Sequence, residues 1–257
     1  MSNTNQNEIN KASWDAYQED YMKFELKSHP DYFEFFANGG VELDDFLLKL
    51  IGDVKGLKLL DTCCACDAVQ ALSWHNLGAR VTACDITPTA IKIAKNNAKK
   101  MKLDLEFVVA DMQTLEPVSD NQFDIVFASY PVWIQDLNQA CKTWHRVLKQ
   151  GGKLLLAAEH PITNCITEDK NGIQIVTDYN QPSKEVFSSF DGTPKARKFG
   201  GWSVALPSVQ NFYRVSDIMN AILAADFKIK TVYESPIVNE ESQMKNLPCD
   251  LVVLAMK

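Results

Sequence analysis

The sequence predicts an α/β protein: a doubly wound sheet of about seven strands, mostly parallel, with an antiparallel C-terminal hairpin strand and a helical N-terminal cap. Three observations carry this. Short apolar segments alternate with helical stretches between residues 57 and 158, the pattern of parallel strands covered on both faces. The first three apolar segments each end on an acidic residue, Asp61, Asp85 and Asp111. The last two, 227–233 and 249–256, are joined by the polar turn Asn239-Glu240-Glu241-Ser242 and no helix, as in an edge hairpin. The expected organisation is a cap or lid over residues 1–40, then an α/β domain over 41–257 interrupted by an insertion at 160–210.

Taken in order, residues 1–8 read as disordered, and the stretch to Phe36 is rich in aromatic side chains. Trp14, Tyr17 and Tyr21 recur at i, i+3 and i+7, so they share one helical face. Gly39-Gly40 breaks that pattern before a helix over 41–51. Strands follow at 57–60, 79–85, 105–111, 123–129 and 153–158. A helix after Asp85 is marked by Thr87-Pro88-Thr89, where threonine suits the cap and proline the first turn. A helix over 137–148 is expected to stop at Gly151-Gly152. The insertion is polar and holds Pro182, Pro194 and Pro207; segments of this length inside compact domains usually serve as lids or substrate loops. A helix over 215–225 restores the alternation.

Composition narrows the function classes. A net charge of -7 argues against generic binding to phosphate backbones, although Lys92, Lys95, Lys99, Lys100 and Lys102 crowd one helix. No apolar run reaches the roughly 20 residues of a membrane span, and the polar start carries no secretory signal, so a cytoplasmic location is expected. Seven cysteines, an odd number, do not suggest a disulfide framework. Cys63 and Cys66 form one Cys-x-x-Cys pair, but no second knuckle accompanies it and the four histidines stand apart, so no metal site is expected.

In open α/β sheets ligands bind outside the carboxyl ends of the strands, here Asp61, Asp85, Asp111, Ser129 and Glu159. An acid at the end of the second strand, 24 residues after Asp61, is placed to take both hydroxyls of a ribose. With Ala110-Asp111-Met112, the Phe123-Asp124-Ile125-Val126 segment and Val147-Leu148-Lys149-Gln150-Gly151-Gly152, the chain resembles the class I S-adenosylmethionine-dependent methyltransferases from Trp14 to Lys257. Glu159-His160-Pro161 and the aromatic N-terminal helix are similar to bacterial small-molecule members of that family. The resemblance implies a Rossmann-like fold and S-adenosylmethionine as cofactor, with S-adenosylhomocysteine as product. It implies cofactor contacts from Asp61, Cys63, Ala65, Asp85, Ile86, Asp111, Met112 and Ser129, with Asp85 on the ribose and Asp111 on the adenine amine.

The chain departs from the family in its first turn. Asp-x-Gly-x-Gly-x-Gly becomes Asp61-Thr62-Cys63-Cys64-Ala65-Cys66-Asp67, with all three glycines replaced. Asp67 is expected to take a left-handed turn conformation, and to lie near the methionine carboxylate or to pair with the ammonium. The expected acceptor pocket is Trp14, Tyr17, Tyr21, Trp133 and Trp202, with Tyr130 and His160 as catalytic candidates. Histidine changes charge near neutral pH, which suits a general base. Methyl transfer to a small-molecule acceptor, with no nucleic acid and no membrane as partner, is the expected function. A non-catalytic or altered-ligand protein of the same fold, or a nucleic-acid or protein methyltransferase, is the alternative.

Overall fold

A computed structural model describes residues 6–180, 184–188, 207–237 and 241–257. Three helices precede the first strand: α1 (Gln6–Ser28), α2 (Tyr32–Ala37) and α3 (Asp45–Ile51). The alternating part runs β1 (Lys58–Asp61), α4 (Val69–Asn76), β2 (Arg80–Asp85), α5 (Pro88–Met101), β3 (Glu106–Val109), β4 (Phe123–Ser129), α6 (Leu137–Val147) and β5 (Leu148–Glu159). Then come β6 (Ile166–Asp169), β7 (Gly172–Ile175), β8 (Lys184–Ser188), β9 (Pro207–Asn211), α7 (Val215–Ala224), β10 (Lys228–Pro236) and β11 (Pro248–Met256).

Seven strands form one sheet in the order β10-β11-β5-β4-β1-β2-β3. The five strands β1 to β5 run parallel, and β11 is antiparallel to both β5 and β10. Strand order reverses between β1 and β4, which opens a crevice at their carboxyl ends. Alternate residues of each strand enter opposite cores. Leu59, Ile125, Phe127, Leu155 and Val252 pack with Trp74 of α4 on one face. Leu60, Val126, Leu154, Leu156 and Val253 pack with Trp144 of α6 on the other. No helix among the described residues is long and apolar enough to cross a membrane.

Three details differ from the sequence expectation. Strand β5 begins at Leu148, five residues early, because the glycine pair lies inside it and not beyond a helix end. The register against β4 jumps from Phe123–Leu148 to Ile125–Lys153, and Gly151, at φ +76°, absorbs the extra residues of this bulge. Helix α1 begins already at Gln6. The insertion, expected as a lid or substrate loop, contains two antiparallel pairs among its described residues, β6 with β7 and β8 with β9. Strand β9 is tied to α1. Asn10 accepts from the Val209 N–H at 2.7 Å and donates to the Val209 carbonyl at 2.9 Å, and the Ser13 and Ser208 hydroxyls lie 2.9 Å apart.

Candidate active site

The turn after β1 is held by its neighbours: Thr62 N–H donates to the Phe127 carbonyl and Cys64 N–H to the Cys84 carbonyl. Asp61 is fully buried; its Oδ1 accepts from Cys63 N–H at 3.2 Å, while its Oδ2 has no hydrogen-bond partner, nor has the buried Thr62 Oγ1. The left-handed positions expected of glycine fall on Ala65 (φ 54°) and Ala68 (φ 50°), and not on Asp67. Alanine pays for that conformation with about 1–2 kcal/mol per residue. Asp67 instead turns its carboxylate to α1, where Oδ2 accepts from the Tyr21 hydroxyl at 3.1 Å, and its carbonyl accepts from the Tyr32 hydroxyl.

Asp85 serves the same turn. Its Oδ1 accepts from Thr87 N–H (2.8 Å) and Thr87 Oγ1 (2.7 Å), and its Oδ2 from Ala65 N–H (3.1 Å). A carboxylate has about four acceptor sites, so Oδ2 retains one for a ligand hydroxyl. Asp111 Oδ1 accepts from Gln113 N–H at 2.8 Å, and its Oδ2 accepts from Asn7 Nδ2 of α1. Beside it a cavity of about 240 Å³ is lined by Asn7, Lys11, Ile86, Ala110, Asp111 and Pro117, among others. Met112, expected here, is buried, and its carbonyl accepts from the Trp144 indole at 3.0 Å.

Burial pushes the Asp61 carboxyl up to about 7, helped by the Asp85 and Asp67 charges and opposed by Cys63 N–H. Asp67 reaches about 7 through burial and the Glu25 charge, opposed by the Tyr21 hydroxyl. Asp85 is raised by burial against its Thr87 donors. Burial also lifts the Cys64 and Cys66 thiols well above their ordinary range, so the turn holds inert thiols and not thiolates. None of the ion pairs among the described residues includes Asp61, Asp67 or Asp85.

At the end of β4, Ser129 Oγ donates to Gln70 Oε1 at 3.3 Å. Tyr130 is left-handed (φ 55°) and 47% exposed, and a single 3-10 turn follows at Pro131–Trp133. Trp14 meets Trp133 edge-on at 5.1 Å, so α1 and the β4 turn do come together. Tyr17 is wholly buried in packing, and Trp202 lies outside the described residues. His160, the candidate base, has both ring nitrogens engaged: its Nδ1 accepts from Ile162 N–H at 3.2 Å and its Nε2 faces Glu234 Oε1 at 2.8 Å. Its backbone N–H donates to the Cys249 carbonyl, which pins it to β11.

A family model described as a methyltransferase domain matches residues 60–156. Residues 60–156 thus carry a methyltransferase domain, and the chain has the fold of S-adenosylmethionine-dependent methyltransferases. An S-adenosylmethionine-dependent methyltransferase from Mesorhizobium loti has the same fold, at TM-score 0.65 and 20% identity over 82% of this chain and 96% of that one. A malonyl-[acyl-carrier protein] O-methyltransferase of Pseudescherichia vulneris is 32% identical over 109 residues, 42% of this chain and 41% of that protein. A phosphoethanolamine N-methyltransferase of Arabidopsis thaliana is 28% identical over 123 residues, 48% of this chain and 25% of that protein. The chain thus spans less than half the length of these curated relatives.

S-adenosylmethionine is the cofactor of this family, and the residues present fit it. An unpartnered buried acceptor at Asp61 and an unpartnered hydroxyl at Thr62 suit polar groups on a ligand, Asp85 keeps a site for a ribose hydroxyl, and the cavity beside Asp111 and Ile86 suits a base. Sequence reasoning missed Thr87, Asn7 and Asp15. The Thr87 contact was legible, because an aspartate commonly accepts from the backbone two residues on. Asn7 and Asp15, whose Oδ1 accepts from Thr89 N–H at 3.0 Å, arrive from a distant helix and left no local signal.

Proposed function

We propose that the chain transfers a methyl group from S-adenosylmethionine to a small-molecule acceptor. The roof over the crevice carries this reading. Helix α1 reaches Asp111 with Asn7, the start of α5 with Asp15, the first turn with Tyr21 and Trp133 with Trp14, while its residues Asn10 and Ser13 bond strand β9. A polymer would need an open cationic groove. A small acceptor needs only a covered cleft, and residues 1–40 are read as its lid.

The bound cofactor supplies an electrophilic methyl carbon, so the protein's part is alignment and exclusion of water. Asp85, Asp111, Ile86 and the 61–67 turn hold the cofactor; Ser129 and Tyr130 flank the end of β4. Trp14, Tyr21 and Trp133 offer faces to a flat or cationic acceptor, at about 0.5–2 kcal/mol per contact. His160, bonded to Glu234 and Ile162, fixes the end of β5 as a positioning residue.

The test supplies S-adenosylmethionine carrying a labelled methyl group to the pure protein with a fractionated bacterial extract. Label in the small-molecule fraction supports the reading; label confined to RNA or protein, or tight cofactor binding with no transfer to any fraction, overturns it.

A further inference from the structure

The first turn is built unlike a neutral cradle. Asp61, Asp67 and Asp85 are all buried, at 0, 9 and 6% exposure, and no lysine or arginine pairs with any of them among the described residues. The remaining ionisable groups that face them add no positive charge. Helix α1 contributes Asp15, Tyr21 and Glu25, α2 contributes Tyr32, the turn itself Cys63, Cys64 and Cys66, β2 Cys84, and the turn after β4 Tyr130. An independent observation points the same way: unpartnered buried acceptors lie here. They are Asp61 Oδ2 and Oε1 of Gln18, a residue whose carbonyl takes the Cys66 thiol at 3.3 Å; the Thr62 hydroxyl, which can donate or accept, is unpartnered beside them. Buried carboxylates without a counterion are costly, and a cationic ligand removes that cost.

We propose that Asp61 and Asp67 make this turn a charge-selective cradle, which binds the cationic cofactor S-adenosylmethionine in preference to its neutral product S-adenosylhomocysteine. This rests on the methyltransferase reading and deepens it. The ammonium and carboxylate of the methionine moiety are common to both ligands; only the sulfonium adds net charge. Asp67 stands where the family has a glycine, so the selectivity belongs to this chain's own residues. Discharged product would leave without competing strongly with fresh cofactor. Because burial holds the Asp61 and Asp67 carboxyls near 7 in the free protein, binding a cation expels protons from them. Preference for the cation therefore grows as pH rises from 6 to 8.

Calorimetric titration of the full chain with S-adenosylmethionine, S-adenosylhomocysteine and sinefungin, which carries an amine in place of the sulfonium, tests this. At pH 8 the two cationic ligands should bind about tenfold more tightly than the neutral one, with the gap narrowing to about threefold at pH 6. Repeating the titration in buffers of different ionisation heat should show more protons released by the cations. Asp67→Asn, which keeps an acceptor for Tyr21, should shrink the gap without abolishing binding, and Asp67→Gly should do the same. Equal affinities for all three ligands in the wild-type chain, or a gap that both variants leave intact, overturns the cradle while leaving the methyltransferase reading standing. Failure of all three to bind overturns both.

Discussion

Over β1 and β2 the cleft is lined by carboxylates, of which Asp61 and Asp85 are anchored to nearby backbone; over β4 and β5 it is lined by rings and polar groups brought from distant segments. Asp61 accepts from Cys63 and Asp85 from Thr87, each two residues along. Trp133 instead meets Trp14, and His160 meets Glu234, over sequence separations of more than seventy residues. Local anchoring makes the first half a fixed receptor for a ligand common to the family. On the proposed function, long-range assembly would let the second half vary with the acceptor, since α1 and the insertion can change without disturbing the strands.

The largest expected effect strikes the support beneath the first half. Trp74 is fully buried and packs edge-on against Phe127 of β4 at 5.5 Å. Trp74→Ala should destabilise the protein by about 3–5 kcal/mol through lost burial and a residual cavity. Chemical denaturation gives the value directly. A cost below about 1 kcal/mol would mean that α4 is not the platform of the turn.

Next comes Asp85→Ala, which removes three acceptor contacts at once. Cofactor affinity should fall about ten- to hundredfold, the equivalent of roughly 1.5–3 kcal/mol for a charge-assisted hydrogen bond. Titration calorimetry on variant and wild type would detect this. Wild-type affinity in the variant would remove Asp85 from the cofactor site and break the contrast between the two halves.

This contrast also explains what the sequence revealed. The alternation of strands and helices, the acidic strand ends and the C-terminal hairpin follow from local apolar periodicity and from residues adjacent in the chain, and they were readable. So was the need for left-handed residues after β1, though Ala65 and Ala68 take the role expected of Asp67. Hidden were the partners that α1 delivers, because nothing local in Asn7 or Asp15 announces Asp111 or Thr89. The glycine pair misled for a related reason. A glycine at positive φ ends helices and also relieves bulges, and only pairing with Phe123 and Ile125 decides between them.

A smaller effect is expected on the far side. His160→Ala strands Ile162 N–H and leaves Glu234 without its partner, so stability should drop by about 1–2 kcal/mol. Cofactor affinity should stay within about twofold of wild type, and turnover should fall modestly through displacement of the β5 end. Loss of turnover by about 10²-fold or more, with stability and cofactor binding intact, would restore His160 as a general base.

The smallest effect concerns the turn itself. Ala65 sits at φ 54° and donates its N–H to Asp85 at 3.1 Å, so its conformation positions a donor as well as the chain. Ala65→Gly relieves about 1 kcal/mol of left-handed strain. It also loosens the unfolded chain, which costs about 0.4–1 kcal/mol. The two nearly cancel, so stability should shift by less than about 0.5 kcal/mol. Cofactor affinity should change less than about threefold if the alanine turn already holds the shape glycine would give. Ala65→Val is the informative control, because a β-branched residue is a true outlier at positive φ. It should distort the turn, withdraw the N–H from Asp85 and weaken binding as Asp85→Ala does. Should Ala65→Gly tighten binding about tenfold or more, the glycine-poor turn would have to be a strained receptor in place of a preformed one. The first half of the cleft would then be as adaptable as the second.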